Sequence, residues 1–182
     1  MTALQTSMER TAVADRTEDL EKVFLAHHDR VFRAAYRVTG NASDSEDVLQ
    51  TVFLRLLRIG HTFTGVEDAG RYLHRAGVNA ALDVMRSRKS AGAVPLDEIE
   101  LNTLRDPDRN PSQQQDASEM RDVMRAAIAR LHPTAAEMFV LRYFEGYDNA
   151  EVAKMMETSE GTVAVTLHRT RARLQKELGG IR

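Results

Sequence analysis

The sequence predicts an all-α fold made of two small helical domains joined by a flexible acidic linker. Apolar residues recur at intervals of three and four along most of the chain, which is the spacing of an amphipathic helix. The 182 residues include only ten glycines, four prolines and no tryptophan, a composition that argues against a turn-rich β sandwich. Three of the four prolines lie between residues 90 and 117, so the main break in the helical pattern falls there.

The chain is expected to begin with a disordered tail followed by one long helix. Residues 1–17 show no sustained apolar period, so we expect no fixed structure in them. The first helix is expected from near Glu18, because acidic side chains in its first turn favour the positive end of the helix dipole. Gly40 is the expected end of this helix.

Two further helices complete the first predicted domain, residues 18–89. Ser43 with Glu46 forms a capping-box pattern that predicts a helix ending at Gly60. The next helix is expected from about residue 69 to residue 88. Its predicted inward face consists of Tyr72, Leu73, Ala76, Ala80 and Val84.

Residues 90–117 are expected to form the linker, because they combine proline, a glutamine run and many acids without helical periodicity. The second predicted domain, residues 118–182, contains four helices. The first spans residues 118–131, and the second spans residues 134–145 with a capping box formed by Thr134 and Glu137.

The last two helices have the pattern of a helix-turn-helix. Asp148 with Glu151 predicts the cap of a short helix that ends at Met156, and Ser159 predicts the cap of a longer one. The long helix has an inward apolar stripe and an outward arc with arginines on its flanks. A plain helical hairpin with a solvated arginine-rich face fits the same pattern. The stripe is Val163, Leu167, Thr170, Leu174 and Leu178, and the arc is Gly161, Val165, His168 and Ala172.

Charge along the chain points to polyanionic partners at two places. The formal net charge is only -2, but residues 71–89 and 162–182 are basic and flank an acidic stretch at residues 90–119. Such alternation predicts two places that meet polyanions, separated by a segment that polyanions repel unless it lies against something cationic.

Cysteine is absent, which excludes disulfides, thiolate metal sites and cysteine nucleophiles. No apolar stretch reaches the length of a membrane span or forms a signal peptide, so we expect a cytoplasmic protein without membrane insertion.

Several runs in combination resemble the bacterial sigma-70 family. Residues 141–146, 151–153, 159–163 and 167–174 are similar to sigma region 4. Residues 44–54 are similar to region 2.2, and residues 63–65 with the helix after them are similar to regions 2.3 and 2.4. The order and the gap fit the extracytoplasmic-function (ECF) group, which has only these two domains and a linker.

This resemblance implies a promoter-recognition subunit that binds core RNA polymerase through the β′ clamp and the β flap, binds promoter DNA, and is held inactive by an anti-sigma factor. It implies no catalytic residue, cofactor or metal. The implied core-binding positions are Asp47, Gln50 and Phe53. Phe53 could equally be a plain core residue.

The resemblance also implies capture of an extruded base at the minus-ten element, in a part of the chain where arginines follow phosphates. Asn79 could shape the base pocket or simply pack between helices. Tyr72 stands where the family commonly has tryptophan, and Val78 where a basic residue is common. The implied minus-ten residues are Phe63, Thr64, Gly65, Arg71, Tyr72, Arg75, Asn79, Arg86 and Arg88.

In the predicted recognition helix, residues 164–166 read Ala-Val-Thr where relatives show a run such as Lys-Ser-Arg. Small apolar side chains suit thymine methyl groups, so we predict a minus-thirty-five element that is A·T-leaning or dependent on DNA shape. The implied contact residues are Thr162, Ala164, Val165, His168, Arg169, Arg171 and Arg173. The linker, by the same resemblance, threads toward the polymerase active-site cleft, although a plain tether explains its composition equally well.

Two other classes of protein account for part of the sequence. A stand-alone helix-turn-helix regulator accounts for residues 148–178 but leaves the first ninety residues unexplained. An enzyme would need the residues 27–29 (His-His-Asp) or the cluster of Asp44, Glu46 and Asp47, but neighbouring helical histidines diverge and acids at a helix start have a dipole explanation.

Overall fold

The structure is a computed structural model that describes residues 2–59, 66–90 and 111–179. Within these ranges the chain contains seven helices and no strand, which confirms the all-α class. The helices are α1 (Thr2–Thr39), α2 (Ala42–Ile59), α3 (Val66–Ser90), α4 (Pro111–Ala129), α5 (Pro133–Tyr143), α6 (Asn149–Met155) and α7 (Glu160–Leu178). We call α1–α3 the front helices and α4–α7 the rear helices.

Helix α1 begins at Thr2 rather than near Glu18, so the expected tail is part of the helix. Residues 2–17 lack both glycine and proline and contain several strong helix formers, which allows the helix to extend without an apolar stripe. The predicted end of α1 at Gly40 is confirmed. Gly40 adopts a positive φ of 70°, and its amide donates a hydrogen bond to the carbonyl of Tyr36 at 2.8 Å.

The cap of α2 differs from the predicted one. The helix begins at Ala42, and the Asn41 side-chain oxygen accepts a hydrogen bond from the Asp44 amide at 2.9 Å. The capping box predicted at Ser43 is therefore wrong, because Asn41 lies next to the turn at Gly40 and caps the helix first. In α3, Tyr72 was expected to face inward but is 39% exposed.

The front helices pack around fully buried aliphatic side chains. Leu56 of α2 and Leu73 and Leu82 of α3 are at most 1% exposed. Gly77 lies where α3 crosses α1, and a β-carbon there would stand 3.0 Å from Cγ1 of Val31. The absent side chain thus allows the two longest front helices to approach closely.

The rear helices differ from the sequence prediction at their first two N-termini. Helix α4 begins at Pro111 instead of residue 118, since proline is favoured in the first turn of a helix, so the last part of the predicted linker is helical. Helix α5 begins at Pro133 after His132, and no side chain caps it. The capping box predicted for Thr134 with Glu137 is wrong, because Glu137 is buried against the front helices.

The helix-turn-helix agrees closely with the sequence. Asp148 and Glu151 form the predicted reciprocal capping box, with both hydrogen bonds at 2.8 Å. The Ser159 hydroxyl accepts from the Thr162 amide at 3.1 Å and caps α7. The predicted inward stripe of α7 is confirmed at four of its five positions, since Val163, Leu167, Thr170 and Leu174 are buried, and Leu178 is partly buried.

Front and rear helices are in contact. Helix α3 packs against α4, α5 and α6, and the buried apolar side chains of both halves form one cluster. This packing places the polar face of α3 directly against α5 and the turn after it. Of the helices described, none has the length and apolar character needed to cross a membrane.

Candidate polymerase and nucleic-acid interfaces

The outward face of α7 is open to solvent. All seven residues predicted to contact the minus-thirty-five element are exposed, and the Val165 side chain is 51% exposed. The buried stripe on the opposite side packs the helix against α4, α5 and α6. This packing fixes the position of the exposed face. Arg173 also donates to the Arg130 carbonyl at 3.3 Å, which ties one arginine to the edge of the rear helices.

The middle of α3 is engaged by the rear helices. Arg75 Nε donates to Oε1 of Glu137 at 2.6 Å, and the Asn79 amide nitrogen donates to the same oxygen at 2.9 Å. A second guanidinium nitrogen of Arg75 donates to the Met155 carbonyl at 2.7 Å. The structure thus brings together two predicted minus-ten residues, and it does so around a carboxylate of the rear helices. The contact of Asn79 fits the helix-packing reading.

His74, which directly precedes Arg75 in α3, forms a second polar contact between the two halves. The buried imidazole bonds Oε2 of Glu145 through Nε2 and the Tyr147 hydroxyl through Nδ1, both at 2.7 Å. Arg37 donates to the same oxygen of Glu145 at 2.7 Å, and Arg30 donates to the Tyr147 hydroxyl at 2.5 Å. No pattern in the sequence indicates this cluster, because its bonded pairs lie between 71 and 117 residues apart along the chain.

The ionisation of the cluster follows from its surroundings. Burial alone would raise the pKa of Glu145, but the hydrogen bond and charge of His74, with the charge of Arg37, together lower it. Burial raises the pKa of Tyr147, and Arg30 opposes that rise only in part. Glu145 is therefore a carboxylate at neutral pH, and the Tyr147 hydroxyl, which accepts from Arg30, keeps its own proton.

Four of the remaining predicted minus-ten residues lie at the two ends of α3. Arg71 and Tyr72 are exposed near its start, and Phe63, Thr64 and Gly65 lie outside the described residues. Near the other end, Arg86 pairs with Asp83 at 2.9 Å and Arg88 pairs with Asp44 at 2.5 Å. These two arginines are partly neutralised within the front helices.

Helix α2 presents a mixed polar and apolar face. Asp47 and Gln50 are exposed, and two leucines on the same face, Leu54 and Leu57, are 46% and 55% exposed. Phe53 is half-buried, with its ring edge-on to Phe24 at 4.8 Å between centroids. Leu54 and Leu57 were not among the predicted core-binding residues, although they lie seven and ten residues after Asp47 and therefore on the same helix face.

Three of the candidate enzyme residues make local contacts. His28 bonds the Phe24 carbonyl at 3.1 Å and Asp29 at 3.2 Å, and Asp44 is buried beside Arg88. In the three described ranges there is no group of three or more side chains arranged to hold a metal ion.

Comparison with protein families gives two matches in chain order. Residues 23–91 match Sigma-70 region 2, and residues 121–174 match Sigma-70, region 4. Among curated relatives, the ECF RNA polymerase sigma factor SigE of Mycolicibacterium smegmatis is 32% identical over 176 residues, which cover 92% of this chain and 67% of the relative. The RNA polymerase sigma-E factor of Streptomyces avermitilis is 31% identical, over 88% of this chain and 85% of the relative.

A solved structure shares the fold at lower identity. The sigma factor RpoE of Bartonella quintana, crystallised with the anti-sigma factor NepR, superposes with a TM-score of 0.52 and 16% identity, covering 91% of this chain and 99% of that one. The two family matches, the relatives and the helical architecture agree with one another. The chain belongs to the ECF group of the sigma-70 family, the promoter-recognition subunits of bacterial RNA polymerase.

Proposed function

We propose a division of labour for this sigma factor in which the front helices bind core polymerase and the minus-ten element while the rear helices bind the minus-thirty-five element. The observation that carries the proposal is the helix-turn-helix, whose α7 has a buried stripe on one side and an exposed basic face on the other. That geometry suits a helix lying in a major groove. The front helices, as region 2, account for the other half of the chain.

The face of α2 is the proposed contact with the β′ clamp. Asp47 and Gln50 supply hydrogen-bonding groups, and Leu54 and Leu57 supply exposed apolar surface beside them. A helix-to-helix interface needs such an apolar centre within a polar rim. Phe53 lies beside this face and packs its ring against Phe24 of α1. The β flap is the proposed contact of the rear helices.

The minus-ten strand is the proposed ligand of α3. Arg71, Arg75, Arg86 and Arg88 would follow phosphates, and Tyr72 offers an exposed ring for stacking on a base. Asn79 would supply a donor and an acceptor for a base edge, and Phe63, Thr64 and Gly65 stay proposed contacts from the sequence alone.

The minus-thirty-five element is the proposed ligand of α7. Ala164 and Val165 offer methyl groups, and His168 and Arg169 offer donors on the same exposed face. Thr162 lies at the N-terminal end of the helix, and Arg171 and Arg173 lie further along for phosphate contacts. These side chains favour A·T-rich sequence or a particular DNA shape.

An anti-sigma factor is the proposed inhibitor, and the cytoplasm is the proposed location. We propose no catalytic activity and no cofactor, since promoter recognition is a binding function. A stand-alone regulator is not favoured, because such a protein has no use for region 2.

Transcription with purified components tests the proposal. The chain with core polymerase should start RNA synthesis from a randomised promoter library and should co-purify with the core enzyme. Leu57→Asp should abolish co-purification, because it places a charge in the apolar centre of the interface. Met120→Asp is the matched control, since Met120 is an apolar residue of similar exposure on α4. Core binding that survives Leu57→Asp and Leu54→Asp would refute the α2 assignment.

A further inference from the structure

We propose that the free chain is self-masked: Glu137 of the rear helices occupies Arg75 and Asn79 on α3, so the rear helices must detach from α3 before the minus-ten strand can bind. We call the contact of Glu137 with Arg75 and Asn79 the clasp. This inference rests on the minus-ten role proposed above for these two side chains, and it adds a state in which that role is blocked.

The first support is the occupation of the donors themselves. One carboxylate oxygen of Glu137 accepts from Arg75 at 2.6 Å and from Asn79 at 2.9 Å. Phosphate and base-edge oxygens are acceptors of the same kind, and DNA contacts on α3 would use the same two donors. The Met155 carbonyl occupies a further guanidinium nitrogen of Arg75. The clasp and the minus-ten strand therefore compete for the same atoms.

The second support is charge complementarity across the contact. The front helices contribute the guanidinium groups of Arg30, Arg37 and Arg75, and the rear helices contribute two carboxylates, Glu137 and Glu145. A cationic surface covered by carboxylates is the arrangement expected when an acidic protein surface takes the place of a polyanion.

The third support is a contact that reinforces the clasp and yet can be broken. His74 has both ring nitrogens bonded to the rear helices and is only 2% exposed, so detachment costs it two partners. However, Oε1 of Glu145 is buried and has no hydrogen-bond partner among the described residues. Burying a polar atom without a partner weakens an interface, which makes this contact suitable for release.

The competition has a defined consequence for binding. When only a fraction of the protein molecules is in the binding-competent state, the apparent affinity for the ligand is reduced by that fraction. Minus-ten affinity of the free chain should therefore be reduced by closure. The outward face of α7 lies away from the clasp, so closure should leave minus-thirty-five binding unaffected.

The test compares minus-ten affinity with molecular shape in the full chain. The probe is a fluorescent single-stranded minus-ten oligonucleotide taken from the selected promoters, and its binding is followed by anisotropy. Small-angle X-ray scattering reports how compact the chain is. Glu137→Ala removes the clasp, and Tyr147→Phe removes only the hydroxyl that bonds His74 and Arg30. Glu119→Ala is the control, because Glu119 is an exposed acid on α4.

If the chain masks itself, Glu137→Ala should expand the chain and tighten oligonucleotide binding about tenfold, by raising the open fraction. Tyr147→Phe should act in the same direction with a smaller change, and Glu119→Ala should match the unmodified chain. Circular dichroism should show unchanged helix content in all three variants.

Two results would overturn self-masking. In one, Glu137→Ala and Tyr147→Phe leave both shape and affinity unchanged. In the other, Glu137→Ala expands the chain without tightening binding, although Arg75→Ala in the same background still weakens it. A failure of the proposed function has a different signature: Arg75→Ala and Asn79→Ala in the open background then leave oligonucleotide affinity unchanged, which removes the minus-ten role and the masking with it.

Discussion

The two helices proposed to read DNA are presented differently by the same chain. On α7 the seven proposed contact residues face solvent, and a buried stripe on the opposite side supports them. On α3 the two central residues, Arg75 and Asn79, are bound to Glu137 of the rear helices. The proposed DNA contacts of α7 are thus open to solvent, whereas those at the centre of α3 are bound to another part of the protein.

The difference follows from how each helix packs. Helix α7 buries apolar side chains on one face only, so its polar face is left to solvent. Helix α3 is packed on more than one side, against the front helices and against α4, α5 and α6. A polar residue on such a helix must find a partner within the protein, and Glu137 is the partner of Arg75 and Asn79. The position of a helix in the packing therefore decides whether its polar groups are available.

The largest effect is expected when the buried stripe that packs α7 against the other rear helices is truncated. Leu174→Ala truncates a buried side chain of α7 and should lower the free energy of unfolding by about 2–5 kcal/mol. Minus-thirty-five duplex binding should fall with it, while the front helices keep their fold. Thermal unfolding followed by circular dichroism, with duplex binding measured in parallel, checks this. Lys176→Ala, an exposed change on the same helix, should behave like the unmodified chain. An equal loss of stability and of duplex binding in both variants would show that the buried stripe does not hold α7 in place.

A charge reversal at the clasp should have the next largest effect. Glu137→Arg removes a charged hydrogen bond and places two guanidinium groups together, so it should disfavour closure by about 2–3 kcal/mol, since the partly exposed Arg75 side chain lets solvent screen the repulsion. The double variant with Arg75→Glu restores opposite charges and should restore the compact shape in scattering. It should not restore minus-ten binding, because the phosphate-binding cation is gone. A double variant as open as Glu137→Arg alone would show that the ion pair does not hold the two halves together.

Base preference at α7 should change by a smaller amount. Val165→Ser and His168→Ala should each alter discrimination at one or two positions of the minus-thirty-five element by about 1–3 kcal/mol. Selection from a randomised promoter library with core polymerase measures this, and the unmodified chain should select an A·T-leaning element. A G-rich element that neither substitution affects would contradict the prediction.

The smallest effect concerns pH. The pKa of Glu145 is lowered in the closed chain, so its ionised form stabilises closure above the ordinary pKa of a glutamate. That contribution should be lost as the pH falls below this value and through the lowered pKa of the closed state. Small-angle X-ray scattering should show that the chain is compact at neutral pH and expands at pH values below the ordinary pKa of a glutamate. In Glu145→Gln, the size of the chain should change less with pH. Identical curves for the two chains would exclude Glu145 as the group responsible.

Local signals predicted the helix-turn-helix well. The caps at Asp148 and Ser159 each join residues three positions apart, so the atoms that form them are adjacent in the sequence as well as in space. The inward stripe of α7 has the same local origin. The same kind of signal failed at Thr134 and Glu137, where a capping-box pattern was present but the glutamate bonds α3 instead.

The failure at Glu137 has a physical reason. A cap is worth about 1 kcal/mol, whereas Arg75 and Asn79 together offer a charged donor and an amide donor to the same oxygen in a mostly buried position. These partners lie 62 and 58 residues away along the chain, so no window of sequence contains both sides of the contact.

The sequence by itself determined the helical class, the recognition helix with its inward stripe, and the resemblance to sigma regions 2 and 4, because each depends on residues within a few turns of one another. Only the tertiary structure decided that the two halves touch, that His74 is buried between them, and that Glu137 binds α3. Those outcomes depend on pairing charges across a long separation in the chain, and the free energy of such pairs is set by burial and geometry that arise only when the helices pack.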